Sequence, residues 1–318
     1  MPSGPHVAVV GSVNMDLSVA TPRVPLRGEN LRAHRLSVVL GGKGACPSVA
    51  LARLGAAAAL VACVGADEFG RRALDTLARE GVDTAAIQAL PDADTGVALI
   101  LVDDAGENTI LVIIGANERL VAAQVTAGLD ALAAPPDRLL VNFEIPADAV
   151  RAALDWGRAH GVPVVVDAGP IRDYGPDVWA GADVLSPNAA EAEHLSGIAP
   201  SDDVRALAAA RRLRADGPRA VALKLGDRGC LLLDEAGARI WPAFVVAAVD
   251  TTGAGDAWSA GLTLGLAQGR SLDEAALLAN ACGAVAVSRA GAVPSMPSAE
   301  DIAALYHHQP APEPRWLA

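Results

Sequence analysis

Val249-Asp250-Thr251-Thr252-Gly253-Ala254-Gly255-Asp256-Ala257-Trp258 reads as an apolar strand ending in a glycine-bracketed turn that opens a helix. Gly253 and Gly255 carry no Cβ, so the backbone can crowd an anion and take φ values closed to other residues. The Ala-rich run at 257–267 has the composition of a helix. The turn's free N–H groups would then sit at the positive end of its dipole, where phosphate-like charge is favoured. Asp256 falls in the first turn beside that anion hole. A carboxylate there can take the proton of an alcohol as the alcohol attacks a phosphoryl group. It can equally be a helix N-terminal carboxylate that only complements the dipole.

Composition narrows the alternatives. The chain has 318 residues, 52% hydrophobic and 19% charged, enough for a sizeable core in one large domain with an appended part. No apolar run reaches the roughly 18 residues of a membrane span, and residues 1–6 lack a signal pattern, so a cytoplasmic location and no membrane partner are expected. Cys46, Cys63, Cys230 and Cys282 form no C-x-x-C pair, which argues against structural zinc and a disulfide framework. A net charge of −12 argues against nucleic acid as partner, so an anionic ligand must be held locally. Of 25 basic residues only Lys43 and Lys224 are lysine, and both fall in glycine-flanked motifs, where a compact point charge differs from a planar guanidinium.

In chain order, residues 6–11 (HVAVVG) form a buried-strand pattern ending at glycine. Only Gly11 of a dinucleotide fingerprint is present, which disfavours a dehydrogenase. Asn14 and Asp16 follow two residues apart, so on an extended segment they point the same way. They suit a sugar diol or, alternatively, an Asx turn. Residues 29–40 alternate polar and apolar, as a half-exposed strand does, before the Gly41-Gly42-Lys43-Gly44 turn and a helix at 48–54. A strand at 58–64, a helix at 67–80 and a hairpin of 95–102 with 109–113 come next. Strands at 139–143, 163–167, 184–185 and 219–225 then alternate with helices at 147–160, 189–195 and 204–214, the pattern of a parallel sheet covered on both faces. Glu144 ends a strand, where open α/β sheets hold ligands. Asn188 and Glu191 share a helix face or form a capping pair. Residues 309–318 look like a loose tail.

Taken together, these motifs resemble the ribokinase family of phosphofructokinase-B-type sugar kinases. The match runs through Gly11–Asp16, Gly41–Gly44, Thr95-Gly96-Val97-Ala98, Gly115-Ala116-Asn117, Asn188-x-x-Glu191, Gly226-Asp227-Arg228-Gly229 and Asp250–Asp256. The resemblance implies a three-layer α/β/α domain over 1–308, with a central mostly parallel sheet and a small β lid at about 15–40 and 95–113. It implies a homodimer through the lid and transfer of the γ-phosphoryl of ATP to the primary hydroxyl of a pentose, D-ribose first.

By the same resemblance Asp256 is the base, and the backbone of Gly253, Ala254 and Gly255 holds the transferring phosphoryl. Asn14, Asp16, Gly42, Lys43, Cys46 and Glu144 fall at the sugar. Asn188, Lys224, Gly226, Asp227, Gly229, Gly255 and Asn280 surround ATP, and Glu191 helps organise Mg²⁺. A K⁺ ion falls to the side chains of Asp250 and Ser295 and the carbonyls of Thr252, Ala286, Arg289 and Gly291. Asp256, at a helix N-terminus, is expected to have a lowered pKa.

Two positions depart from the family. Cys46 stands where ribokinases usually carry an asparagine that touches the sugar, so a deoxy or differently configured sugar, or a nucleoside, is a competing substrate. Asp167-Ala168-Gly169-Pro170 replaces the usual asparagine-proline version. A hexose or sugar-acid kinase, and a non-catalytic sugar or nucleotide sensor on the same fold, are the other readings.

Overall fold

Strand β1 (His6–Val10) is apolar on both faces, and the computed structural model, which describes residues 4–317, gives the reason. Val7 and Val9 enter one cluster of buried side chains, Ala8 and Val10 another, as period-2 geometry requires of a strand covered on both sides. Residues 1–3 and 318, at the ends of the segments 1–6 and 309–318 read above, lie outside the described residues.

The chain continues through β2 (Asn14–Ala20), β3 (Arg35–Gly41), α1 (Ala45–Arg53), β4 (Ala57–Gly65), α2 (Glu68–Arg79), β5 (Ile87–Leu90), β6 (Gly96–Val102) and β7 (Asn108–Ile113). Then come α3 (Ala122–Asp130), β8 (Arg138–Asn142), α4 (Ala147–His160), β9 (Val164–Asp167), β10 (Val184–Ser186), α5 (Ala189–Ser196) and α6 (Asp203–Ala215). The last part holds β11 (Ala220–Lys224), β12 (Cys230–Asp234), β13 (Gly237–Trp241), α7 (Ala254–Ala267), α8 (Leu272–Val287), α9 (Ala292–Ser295), α10 (Ala299–His308) and β14 (Arg315–Leu317).

Ten strands in the order β14-β13-β12-β11-β10-β9-β8-β1-β4-β5 make the main sheet. From β11 to β5 every pairing is parallel, while β12, β13 and β14 run antiparallel at one edge. Side chains of α1, α7 and α8 bury against one face and those of α3, α4 and α6 against the other, giving the expected three layers. β1 lies between β4 and β8, so the strand order reverses there and a crevice opens at the carboxyl edge of the sheet. A second sheet, β3-β2-β6-β7, is the lid. β2 begins four residues beyond the end of β1, which ties the lid to the mouth of that crevice. Among the described residues no helix is long and apolar enough to cross a membrane.

Four expectations change. Residues 29–34 are not strand, because Glu29 bonds Arg23 and accepts from Leu26 N (2.8 Å), closing a local turn. The segment before the glycine turn is irregular rather than a strand, since the N–H groups of Val249 and Asp250 both reach Val287 O at the end of α8 (2.7 and 3.2 Å). The tail is not loose throughout: β14 pairs with β13, and Trp316 lies over the Arg239 guanidinium, 5.2 Å from ring centroid. Arg239 is itself fixed by Asp234 (2.8 Å) and Asp273 (2.7 Å). The strands β5, β12 and β13 extend the sheet beyond the sequence reading.

Candidate active site

Gly253 is the residue before α7 and has φ +78°, a left-handed conformation that favours glycine. No side chain caps α7. Among the described residues the N–H groups of Gly253, Gly255 and Asp256 have no protein acceptor, whereas those of Thr252 and Ala254 bond Asp250 Oδ1 (2.9 Å) and Thr251 O (3.2 Å). Helix and turn therefore present an anion-binding cradle. Asp256 stands in the first turn, and its carboxylate lies 3.4 Å from Lys43 Nζ.

On one side of Asp256 is a polar cluster anchored by Glu144. Its Oε2 receives the Ser12 hydroxyl, Asn14 Nδ2 (3.2 Å) and the Lys43 N–H (3.2 Å). Asn117 holds Asn14 in turn, donating to its Oδ1 at 2.8 Å while accepting from Val13 N at 2.8 Å. Gly42 has φ +102°, and a Cβ there would stand 2.8 Å from Asn14 N, so the turn closes on this cluster only with glycine. Asn14 and Asp16 lie two apart on β2 and share a face, as extended geometry requires. The Asp16 carboxylate, in a residue 8% exposed, has no donor among the described residues. Burial, then Glu144 and Asp256, push its pKa up to about 7. Cys46, buried in α1, is close enough to Asp256 and Asp16 that burial and these carboxylates raise its thiol far above the ordinary value.

On the other side of the cradle is a cavity of about 470 Å³, lined by Lys224, Gly226, Asp227, Gly229, Thr251, Ala254, Gly255 and Trp258 among others. Asn280 also lines it, but its amide is spent on Trp258 Nε1 (2.7 Å), Trp241 O and Pro242 O. It thus shapes the wall. Asn188 caps α5 by a reciprocal bond with Glu191, the bland alternative allowed by their spacing. Glu191 nevertheless has a second oxygen that, with Lys43 Nζ, flanks the Cα of Gly169.

Burial and the carboxylates of Asp167 and Glu144 raise the pKa of Asp256 against the pull of Lys43 and Lys224, so the lowered value expected from the helix dipole is wrong. Desolvation wins over a terminal dipole that acts at partial charge. Burial works against the Lys43 ammonium, but Asp256, Asp167, Glu191 and Glu144 together raise its pKa well above ordinary.

Of the residues grouped for a cation, Asp250, Thr252 and Gly291 are joined by hydrogen bonds. Asp250 accepts from Thr252 N (2.9 Å) and Gly291 N (2.8 Å), tying the two loops, and these bonds hold its pKa low against burial. Ser295 is buried and donates to Ala292 O (2.8 Å), which leaves its oxygen lone pairs available. The Arg289 side chain turns away to Asp301, and the Ala286 carbonyl accepts from Arg289 N (3.1 Å). No cluster of three or more His, Cys, Asp or Glu among the described residues is arranged for a metal ion.

Sequence reasoning assigned no role to Ser12, Asp167 or Ser259. Asp167 ends β9 as Glu144 follows β8, so the strand-end rule that picked Glu144 also selects Asp167.

A lid over the carboxyl edge of a parallel sheet, an uncapped helix start and a buried carboxylate beside an ammonium are the apparatus of a phosphotransferase with an alcohol acceptor. Residues 5–299 match the model of the pfkB family carbohydrate kinases. The chain is 33% identical to ribokinase of Haemophilus influenzae over 302 residues, covering 95% of this chain and 98% of that one. It is 32% identical to deoxyribokinase of Salmonella typhimurium over 253 residues, 79% of this chain and 82% of the relative. The solved structure of Arabidopsis thaliana ribokinase complexed with ribose and ATP has a TM-score of 0.86 at 27% identity, over 95% of this chain and 98% of that chain. The chain belongs to the pfkB family of carbohydrate kinases, and it is a sugar kinase.

Asp16 yields a pH test. Its folded-state pKa near 7 against an ordinary 3.8 means that ionisation opposes folding. Both states are protonated below the ordinary value, stability is lost as pH rises between the two, and the loss is complete above the folded value. Asp16→Asn is expected to raise the melting temperature at about pH 8 and leave it nearly unchanged at about pH 4. An equal shift at both pH values contradicts the assignment.

Proposed function

We propose that the chain transfers the γ-phosphoryl group of ATP to the primary hydroxyl of D-ribose, giving ribose 5-phosphate and ADP. The observation that carries this reading is the position of Asp256, between the Asn14–Asp16–Glu144 cluster and the cavity, with Lys43 at 3.4 Å. Likeness to ribokinases, one of them solved with ribose and ATP, supports the choice of both substrates. Asn14, Asp16 and Glu144 would receive and orient sugar hydroxyls, with Gly42 and Lys43 closing over them. Asn188, Gly226, Asp227 and Gly229 would flank the nucleotide, whose phosphates reach the cradle at Gly253, Ala254 and Gly255.

As the sugar oxygen bonds to phosphorus and the bond to the ADP oxygen breaks, Asp256 takes the hydroxyl proton. Its raised pKa suits a base, although a loose transition state asks more of positioning than of basicity. Glu191, whose second oxygen faces the site, fits a role in holding Mg²⁺, which neutralises phosphate charge when bound. Asp250 with Ser295 and the carbonyls of Thr252, Ala286, Arg289 and Gly291 offers one carboxylate among neutral oxygens, a donor set suited to K⁺. That ion would stiffen the two loops that Asp250 already joins. Turnover is expected to rise with K⁺ in the wild type and to lose that response in Asp250→Ala; a wild-type rate indifferent to K⁺ rejects the site. The exposed apolar face of β7, from Ile110 to Ile113, supports a lid-mediated homodimer. Sedimentation velocity is expected to show a dimer that Leu111→Asp converts to monomer.

A second substrate reading rests on Cys46. A buried thiol beside Asp16 and Asp256 offers little to a sugar hydroxyl, and a deoxyribokinase is among the relatives. An ADP-release assay over ribose, deoxyribose, hexoses and nucleosides decides between them. Ribose is expected to lead, and Cys46→Asn to widen its kcat/KM advantage over deoxyribose by about ten-fold; an unchanged preference order dismisses the role of Cys46. In the same assay Asp256→Asn is expected to lower turnover by about 10²-fold or more, and near-normal turnover would exclude it as the base.

A further inference from the structure

The two lysines of the chain converge on one place from different elements. Lys43 reaches Asp256 from the turn before α1, and Lys224 comes from the carboxyl end of β11. Lys224 is 9% exposed, and its Nζ donates to Asp167 Oδ2 at 2.9 Å and lies 3.4 Å from Ser259 Oγ. The Ser259 hydroxyl donates to that same Asp167 oxygen. Ser259 is on α7, one turn beyond Asp256, so the helix that starts the anion cradle also braces the lysine.

Asp167 is no candidate ligand for a metal or a substrate. It is 3% exposed, its Oδ1 accepts from Gly169 N at 3.1 Å, and its Oδ2 is shared by Lys224 and Ser259. Every interaction it makes serves to hold other protein groups. An ammonium has three donors. Two of those on Lys224 are directed at Asp167 and Ser259, which fixes the direction of the third. Lys224 lines the cavity, and its Nζ lies 3.9 Å from where a Cβ on Gly255 would be, so the free donor is at the border between cavity and cradle.

With Lys224 at the nucleotide, as the family resemblance implies, we propose that Asp167 and Ser259 are positioning residues that aim its ammonium at the β- or γ-phosphate. This rests on the reading of the cavity as a nucleotide site. Asp167 cancels the net charge of Lys224 within the protein, so the pair supplies a pre-directed N–H at little long-range field. Lys43, facing Asp256, supplies the second cation from the sugar side. The bare alternative is a buried ion pair that only holds β9, β11 and α7 together.

Equilibrium titrations of ATP, ADP and AMP against the wild type, Lys224→Met and the double variant Lys224→Met/Asp167→Asn separate these. The double variant leaves no uncompensated buried charge and so protects the fold where the single variant loses it. The wild type is expected to prefer ATP and ADP over AMP. The double variant is expected to lose roughly ten- to hundred-fold in affinity for ATP and ADP, the scale of a hydrogen bond to a charged group, while AMP binds as before. Asp167→Asn alone is expected to lower kcat with the KM for sugar unchanged. Equal losses for all three nucleotides, or an unaltered preference for ATP, overturn the role of Lys224 and leave the kinase reading standing. A wild type that binds none of the three overturns the nucleotide reading and the inference with it.

Discussion

The site is organised by an excess of buried carboxylates over the cations available to balance them. Asp16, Glu144, Asp167, Glu191 and Asp256 gather at the carboxyl edge of the sheet around Lys43 and Lys224. Placing ionised groups out of water is unfavourable unless each is paired or hydrogen-bonded. The structure meets that demand unequally. Asp167, held by Lys224, Lys43 and the Ser259 hydroxyl, stays below the ordinary carboxylate range despite its burial. Asp16, with no donor among the described residues, is pushed to about 7. The groups left under-served are the ones that face the cleft.

That inequality explains why the surrounding scaffold is so fully bonded. One oxygen of Glu144 is held by Ser12, Asn14 and the Lys43 amide, and Asn14 is fixed by Asn117. The cavity wall between β13 and α7 is irregular chain, yet its ends are tied by Asn280 to the carbonyls of Trp241 and Pro242 and by Val287 O to the amides of Val249 and Asp250. A cradle of free N–H groups keeps its shape because the amides of Val249, Asp250, Thr252 and Ala254 on its flanks are bonded to protein.

Much of the sheet was legible in the sequence because β1, β4, β8, β9 and β11 carry apolar runs, and α2, α5 and α6 because Asp67, Asn188 and Asp202 give start signals. Helices α3, α8 and α10 were not read, although Ser271 with Glu274 opens α8 in the same way as Asn188 with Glu191 opens α5. The glycine-bracketed turn at the start of α7 was legible from the spacing of Gly253 and Gly255. Long-range pairings were not. Nothing local announces that Trp316 covers Arg239, or that Asp167 meets Lys224 across 57 residues. The sign of the Asp256 shift was misread for the same reason. The dipole is a property of its own helix, whereas two carboxylates that act with burial against it, Asp167 on β9 and Glu144 after β8, come from distant parts of the chain.

An acidic chain that must gather an anion and a neutral polyol beside one carboxylate faces opposed requirements, since the charge that repels phosphate is also the acceptor a hydroxyl needs. Separating the two sides of Asp256 resolves this. Towards the cavity the backbone N–H groups and the Lys224 ammonium dominate, and both oxygens of Asp167 are already bonded to protein. Towards the lid the open acceptors Asp16 and Asp256 dominate. Hydroxyl donors arriving on that side stabilise the ionised form of both groups and so lower their pKa. A polyol therefore offsets the mutual repulsion of the acidic cluster as it binds.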